Sequence, residues 1–166
     1  MGAFIGINNS SISDGILKQV NINDKMAIHL GAFYEFNLSE KIKFRPKVIF
    51  SQQGNRDDEI YGSRERFHKS SYLNFPLNFK FFEKTYILAG PQFGLLLNEE
   101  IFYPDREGEF FDFGINFGFG QKIKGFFLEI NFYQGLTKFK DKVNYDDFIG
   151  KGTNTLIQFS IGYYIF

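Results

Sequence analysis

Tyr72-Leu73-Asn74-Phe75-Pro76-Leu77-Asn78-Phe79-Lys80-Phe81 alternates large apolar residues with polar ones over its whole length. Leu73, Phe75, Leu77, Phe79 and Phe81 share one phase, and Asn74, Asn78 and Lys80 share the other. A helix would scatter these sets around its axis, whereas a strand separates them onto two faces. The same period recurs in both directions along the chain. In Lys41–Ser51, Ile42, Phe44, Val48 and Phe50 oppose Lys41, Lys43, Arg45 and Lys47. Downstream, Phe111, Phe113, Ile115, Phe117 and Phe119 alternate with Asp112, Gly114, Asn116, Gly118 and Gly120. Phe126, Leu128, Ile130 and Phe132 alternate with Glu129 and Asn131. Met26–Phe36, Tyr86–Leu97 and Thr155–Phe166 follow the pattern less strictly, and Met1–Asn8 is a shorter eighth candidate. Gly, Asn and β-branched or aromatic residues interrupt every helical window.

The connections order these strands. Short links lie at Asn37–Glu40, Glu83-Lys84 and Lys122–Gly125, while long polar segments run over about Asn9–Lys25, Gly54–Lys69, Asn98–Glu109 and Thr137–Gly152. Short and long connections alternate, as they must in an up-and-down antiparallel sheet whose successive links emerge at opposite ends. All long loops therefore fall at one end, with the tight turns and both termini at the other. Eight such strands can close into a barrel without a free edge. The fold expected is an all-β, eight-stranded antiparallel up-and-down transmembrane β-barrel, one domain over residues 1–166.

Three observations choose the orientation of the faces. The polar phase carries Gly31, Gly90, Gly94, Gly114, Gly118 and Gly120, small residues that make room inside a narrow barrel for long charged neighbours. The apolar phase is too bulky for so small an interior. Several strands reach about 10 residues, enough for a tilted strand to cross a bilayer. The apolar face is thus expected to meet lipid and the polar face to fill the lumen.

Composition narrows the function. The 166 residues include 24 Phe, 9 Tyr and 17 Gly, with no Cys or Trp, and 19 Lys+Arg balance 19 Asp+Glu. Without a basic surplus nucleic acid is not an expected partner. The lack of Cys removes disulfide scaffolds, thiolate metal sites and Cys nucleophiles. No apolar run is long enough for a transmembrane helix. Met1-Gly2-Ala3-Phe4-Ile5-Gly6 has no basic leader, so the barrel reading favours a mature segment with its signal peptide removed.

Several short motifs keep the order found in a known family. Lys43-Phe44-Arg45-Pro46 through Gln53-Gly54, then Tyr72-Leu73-Asn74-Phe75-Pro76-Leu77, Ala89-Gly90-Pro91 and the closing Gly162-Tyr163-Tyr164-Ile165-Phe166 resemble the small outer-membrane β-barrel family that includes PorT-like proteins. The resemblance implies an eight-stranded barrel in a Gram-negative-type outer membrane, exported with a cleaved signal peptide, and no single activity. One departure is visible: the family's usual ending places Gly three residues before the final Phe, and here Gly162 is four before Phe166.

The strongest candidate constellation is the inward set His29, Glu35, Lys43, Arg45, Lys47, Lys80, Asp112 and Glu129. Charges held away from water must pair, so a polar network plugging the lumen is the expected role; a cation-lined conduit or anion site near Lys43, Arg45 and Lys47 is the functional alternative. The acidic runs Asp57-Asp58-Glu59, Glu99-Glu100 and Asp146-Asp147 fall in expected loops and match no metal motif. His68 beside Ser70 and Ser71 is the best catalytic candidate, and a weak one. No metal or cofactor is expected. Tyr34, Phe36, Tyr72, Phe81, Tyr133 and Tyr163 are expected in aromatic girdles at the membrane interfaces. Loop aromatics, among them Tyr61, Phe67, Phe102, Tyr103, Phe110, Phe139, Tyr145 and Phe148, suit contact with lipopolysaccharide or a protein partner. The reading reached is a monomeric, non-enzymatic outer-membrane barrel, either structural or adhesion-type or an accessory to a surface or secretion machine. Its alternatives are a soluble lipid-binding carrier of lipocalin type with the faces reversed, and a narrow channel for small solutes.

Overall fold

The computed structural model describes residues 1–13, 26–57, 66–101, 110–138 and 153–165. They form β1 (Gly2–Ser13), β2 (Met26–Phe33, continued by Phe36–Asn37), β3 (Ile42–Asp57), β4 (Arg66–Phe81), β5 (Thr85–Ile101), β6 (Phe111–Ile123), β7 (Phe126–Lys138) and β8 (Thr153–Tyr164), with no helix among the described residues. Every strand pairs antiparallel with its neighbours in sequence, and β1 pairs with β8 from Gly2↔Tyr164 to Ser13↔Thr153. That last ladder closes an eight-stranded antiparallel barrel. The start of β1 and the end of β8 lie with the tight turns.

The break in β2 has a chemical cause. Phe33 pairs with Lys47 and Phe36 with Phe44, so Tyr34 stands opposite Pro46. The Tyr34 N–H donates to the Pro46 carbonyl at 3.2 Å, but proline has no N–H to return the bond. The ladder resumes two residues later in register. The hairpin turns at Phe82 (φ 70°) and Lys124 (φ 57°) use left-handed backbone at non-glycine residues, which is uncommon and confined here to tight connections.

Burial follows the two phases. Ile5 (57% exposed), Ile115 (56%) and Leu128 (51%) point away from the barrel axis, while Arg45, Asn78 and Lys80 are fully enclosed. Among the described side chains, no outward position on any strand carries a charge. The faces are those of a membrane barrel, and the reversed arrangement of a soluble carrier is not observed. On β4 the apolar outward run Leu73–Phe81 spans about 26 Å along the strand, or about 20 Å at a tilt of ~40°. Polar outward residues border it: Gln52, Ser71 and Asn98 are adjacent across β3, β4 and β5 at the loop side, and Thr85 hydrogen-bonds Gln121 at 2.6 Å at the turn side.

Three expectations need correction. First, β3, β4 and β5 are 16, 16 and 17 residues long, because regular pairing continues past the apolar band. Asp57, Phe67, His68, Glu99 and Glu100 are therefore strand residues rather than loop residues. Second, Tyr72 and Tyr133 do not join a girdle: they are 4% and 3% exposed and face inward. Tyr34, Phe36, Phe81 and Tyr163 do face outward, and rings meet at Tyr34–Phe36 (4.7 Å), Phe44–Phe79 (5.6 Å) and Phe126–Tyr163 (4.9 Å). Third, the interior holds Phe4, Phe33, Ile49 and Phe127 as a small apolar cluster. Asp58, Glu59, Tyr61, Phe102, Tyr103, Phe139, Tyr145, Asp146, Asp147, Phe148 and Phe166 lie outside the described residues.

The lipid-facing assignment is testable at Phe117, outward and mid-band on β6. Phe117→Arg is expected to lower folding stability in lipid vesicles by about 2–4 kcal/mol, against about 0–1 kcal/mol for Gln52→Arg in the polar border. Urea titration followed by the heat-modifiable shift in gel mobility measures both.

Candidate functional site

The lumen is the candidate site, and its geometry begins with glycine. Gly120 on β6 pairs with Tyr86 on β5, and a Cβ at Gly120 would collide with the Tyr86 ring. The missing side chain lets the ring lie across the β6 backbone and aim its hydroxyl into the barrel. Gly162 on β8 does the same for Phe127; it faces inward, which fixes the phase of the last strand.

Glu129 on β7 is the centre of the network. Its Oε2 accepts from the Arg45 guanidinium at 2.9 Å and from the Tyr86 hydroxyl at 3.0 Å. Its Oε1 accepts from Asn131 at 2.7 Å and from the Lys47 ammonium. Glu35, beside the break in β2, is a second shared acceptor. It takes Lys80 at 3.0 Å and the Tyr164 hydroxyl at 3.1 Å, with Arg45 Nε at 3.5 Å and Lys43 at 3.6 Å. Lys43 also pairs with Glu83 in the β4–β5 turn at 2.5 Å. Arg45 Nε and the second Arg45 Nη make no hydrogen bond. The guanidinium instead lies 3.6 Å from the centre of the Phe33 ring, a stacked cation–π contact that partly offsets desolvation.

Six of the eight lumen candidates thus gather toward the turn end: Glu35, Lys43, Arg45, Lys47, Lys80 and Glu129. His29 borders this cluster through Ser160, the cross-strand partner of Glu129, and only Asp112 stands apart. His29 Nε2 is 2.8 Å from Ser160 Oγ with Nδ1 unpartnered, a buried pair without an orienting acid. Asp112 accepts from Asn154 at 3.2 Å toward the loop end, where Asn154 also donates to Gln53 at 3.0 Å. The His68 side chain lies outside the described ones. Between the two groups runs a layer of carboxamides, with Asn78 donating to Asn116 and Asn116 to Gln92, each at 3.2 Å. No cluster of metal-ligating side chains occurs among the described residues.

Sequence reading did not name Glu83, Tyr86, Tyr164 or the inward Phe4, Phe33 and Phe127 as members. Strand parity contains most of the signal: Phe33 shares phase with His29 and Glu35, and Phe127 with Glu129. Glu83 lies in a turn, where parity is silent.

Residues 1–141 match the profile of the outer membrane protein beta-barrel domain family. The chain belongs to that family. It is an outer-membrane β-barrel of Gram-negative type, and the charge-free exterior and charged interior are the physical form of that membership. Among solved structures, two of Ail, the attachment invasion locus protein of Yersinia pestis, are similar to this chain. In complex with the heparin analogue sucrose octasulfate Ail superimposes with a TM-score of 0.52 at 14% identity, covering 98% of this chain and 96% of that one. The second Ail structure gives a TM-score of 0.47 at 16% identity, over 98% and 95%. No curated protein matches the sequence.

Glu129→Gln would leave Arg45 and Lys47 buried without their carboxylate, a loss expected to cost about 3–5 kcal/mol of stability, read from the urea midpoint of the folded gel band. Glu83, outside the spanning strands, shows the pH dependence. Partial burial raises its carboxyl pKa, but the Lys43 hydrogen bond and the charges of Lys80 and Lys43 outweigh this and hold it below the ordinary 4.5. A depressed folded value means the stabilisation is present above 4.5 and is lost as pH falls through the lower folded value. The fall in urea midpoint below that pH is expected to be shallower in Glu83→Gln.

Proposed function

We propose that this protein is a closed, non-enzymatic outer-membrane barrel that acts through its external end. The carrying observation is the cross-section around Arg45. There Arg45, Lys80, Tyr86 and Phe127 are each 1% exposed or less, and the guanidinium is sandwiched between the Glu129 carboxylate and aromatic rings. Such a layer is a plug: an ion would have to break a buried ion-pair network to pass it. With transport closed and the only described His–Ser pair buried without an acid, the surface left to act is external. The protruding ends of β3, β4 and β5 belong to that end. Binding there to lipopolysaccharide or to a protein, in an adhesion role or as an accessory to a surface or secretion machine, is the reading this supports. The Ail structure with sucrose octasulfate gives the same fold a precedent as a ligand binder.

The second reading, a narrow conduit, draws on the charge of the same network, where Lys43, Arg45, Lys47 and Lys80 outnumber Glu35, Glu83 and Glu129. Planar-bilayer recording separates the two. The wild-type barrel is expected to show no resolved conductance steps, and an Arg45→Ala, Phe33→Ala double variant that still gives the folded gel band is expected to show them. Steps from the wild type would overturn the plug.

A further inference from the structure

The outer wall carries a groove whose course is set by register. Ile5, Ile161, Leu128, Gln121 and Thr85 are successive cross-strand partners on β1, β8, β7, β6 and β5. Two residues nearer the loops, Ile7, Phe159, Ile130 and Phe119 form a parallel row. Between them runs the row Gly6, Ser160, Glu129 and Gly120, whose side chains or missing side chains belong to the interior, so that only backbone floors the channel. The resulting outward groove has a volume of about 720 Å³.

Its two ends differ in chemistry. The Ile5–Ile7 end is wholly apolar. The other end closes on Thr85 and Gln121, a hydrogen-bonded polar pair, at the turn side of the apolar band. Lys84 directly precedes Thr85, and the Lys122 N–H donates to the Lys84 carbonyl at 2.7 Å, which fixes that turn beside the end of β6. Lys124 is exposed in the adjoining β6–β7 turn. The nearest turn acid, Glu83, is engaged by Lys43 at 2.5 Å, with Lys80 at 3.6 Å, so the exposed charge at this end of the groove is positive.

We propose that this groove is a binding site for one anionic phospholipid of the periplasm-facing leaflet. An acyl chain lies between the two aliphatic rows, and the phosphate-bearing headgroup meets the Thr85–Gln121 pair and the ammonium groups of Lys84 and Lys124. The polarity of the groove orients the lipid: the polar end is at the turns, which in an outer-membrane barrel face the periplasm. Basic side chains at a membrane surface favour anionic over neutral lipid.

Native mass spectrometry of the folded full chain tests this, after incubation with equal phosphatidylglycerol and phosphatidylcholine in detergent. The wild type is expected to retain one phosphatidylglycerol, with a preference of about tenfold over phosphatidylcholine. The Lys84→Gln, Lys124→Gln double variant is expected to lose the preference while still binding lipid. Leu128→Trp, which fills the groove, is expected to lose the retained adduct with either lipid. Folding of each variant is checked by heat-modifiable mobility. Equal retention of both lipids by the wild type would reduce the groove to unselective lipid contact and overturn the proposal. So would displacement of phosphatidylglycerol by lipopolysaccharide in competition, or an unchanged adduct in folded Leu128→Trp.

Discussion

Everything in this barrel follows from the need to pair every backbone N–H and C=O before it meets hydrocarbon. The β1–β8 ladder, twelve residue pairs from Gly2↔Tyr164 to Ser13↔Thr153, meets that need by removing the last edge. Once the sheet is closed, each strand has one face for lipid and one for the lumen, and a slip of one residue would exchange them. The charge-free exterior and the crowded interior are therefore two consequences of one register. Pro46 marks how narrow the tolerance is: one missing N–H interrupts β2 for two residues, and that interruption sits beside Glu35, whose carboxylate is used by Arg45, Lys43 and Lys80.

The interior solves a second problem, that of filling a narrow tube with side chains drawn from eight directions. Glycine makes the solution possible by letting Tyr86 and Phe127 lie flat over neighbouring strands. Glu129 and Glu35 make it electrically tolerable, each serving more than one cation. The arrangement is weak evidence for net stability, since buried ion pairs often only repay their own desolvation. Its clearer effect is specificity: Arg45 fits one place, between Glu129 and the Phe33 ring, and that place requires the native stagger of β2, β3 and β7.

Much of this was legible in the sequence. Alternation in Tyr72–Phe81 and Phe111–Gly120 identified the strands, and alternation of short and long connections gave the topology. The outward placement of Phe75, Phe117 and Leu128 followed from glycine on the polar phase, the bulk of the apolar phase and strand length. Three features were not legible, for separate reasons. The continuation of β3, β4 and β5 beyond the membrane band has no hydrophobic period, because outside lipid neither face is required to be apolar. Tyr72 and Tyr133 were assigned to a girdle because an amphipathic ring suits an interface as well as a polar lumen; only the parity with Asn74 and Asn131 separates the two. The partition of the lumen charges into a turn-side cluster and a separate Asp112 depends on height along the axis, which is set by stagger between strands and not by any one strand's pattern.

The long β3–β4–β5 strands carry a mechanical consequence. From Gln52, at the polar border, to Asp57 the ladder adds five residues, paired as far as Asp57↔Arg66, or about 16 Å along the strand. The ends of those strands are thus raised on a hydrogen-bonded mast rather than on slack chain. The height of that end above the apolar band is then fixed by strand length at the time of folding. A ligand held there would meet a preset stand-off and would not have to immobilise the support beneath it.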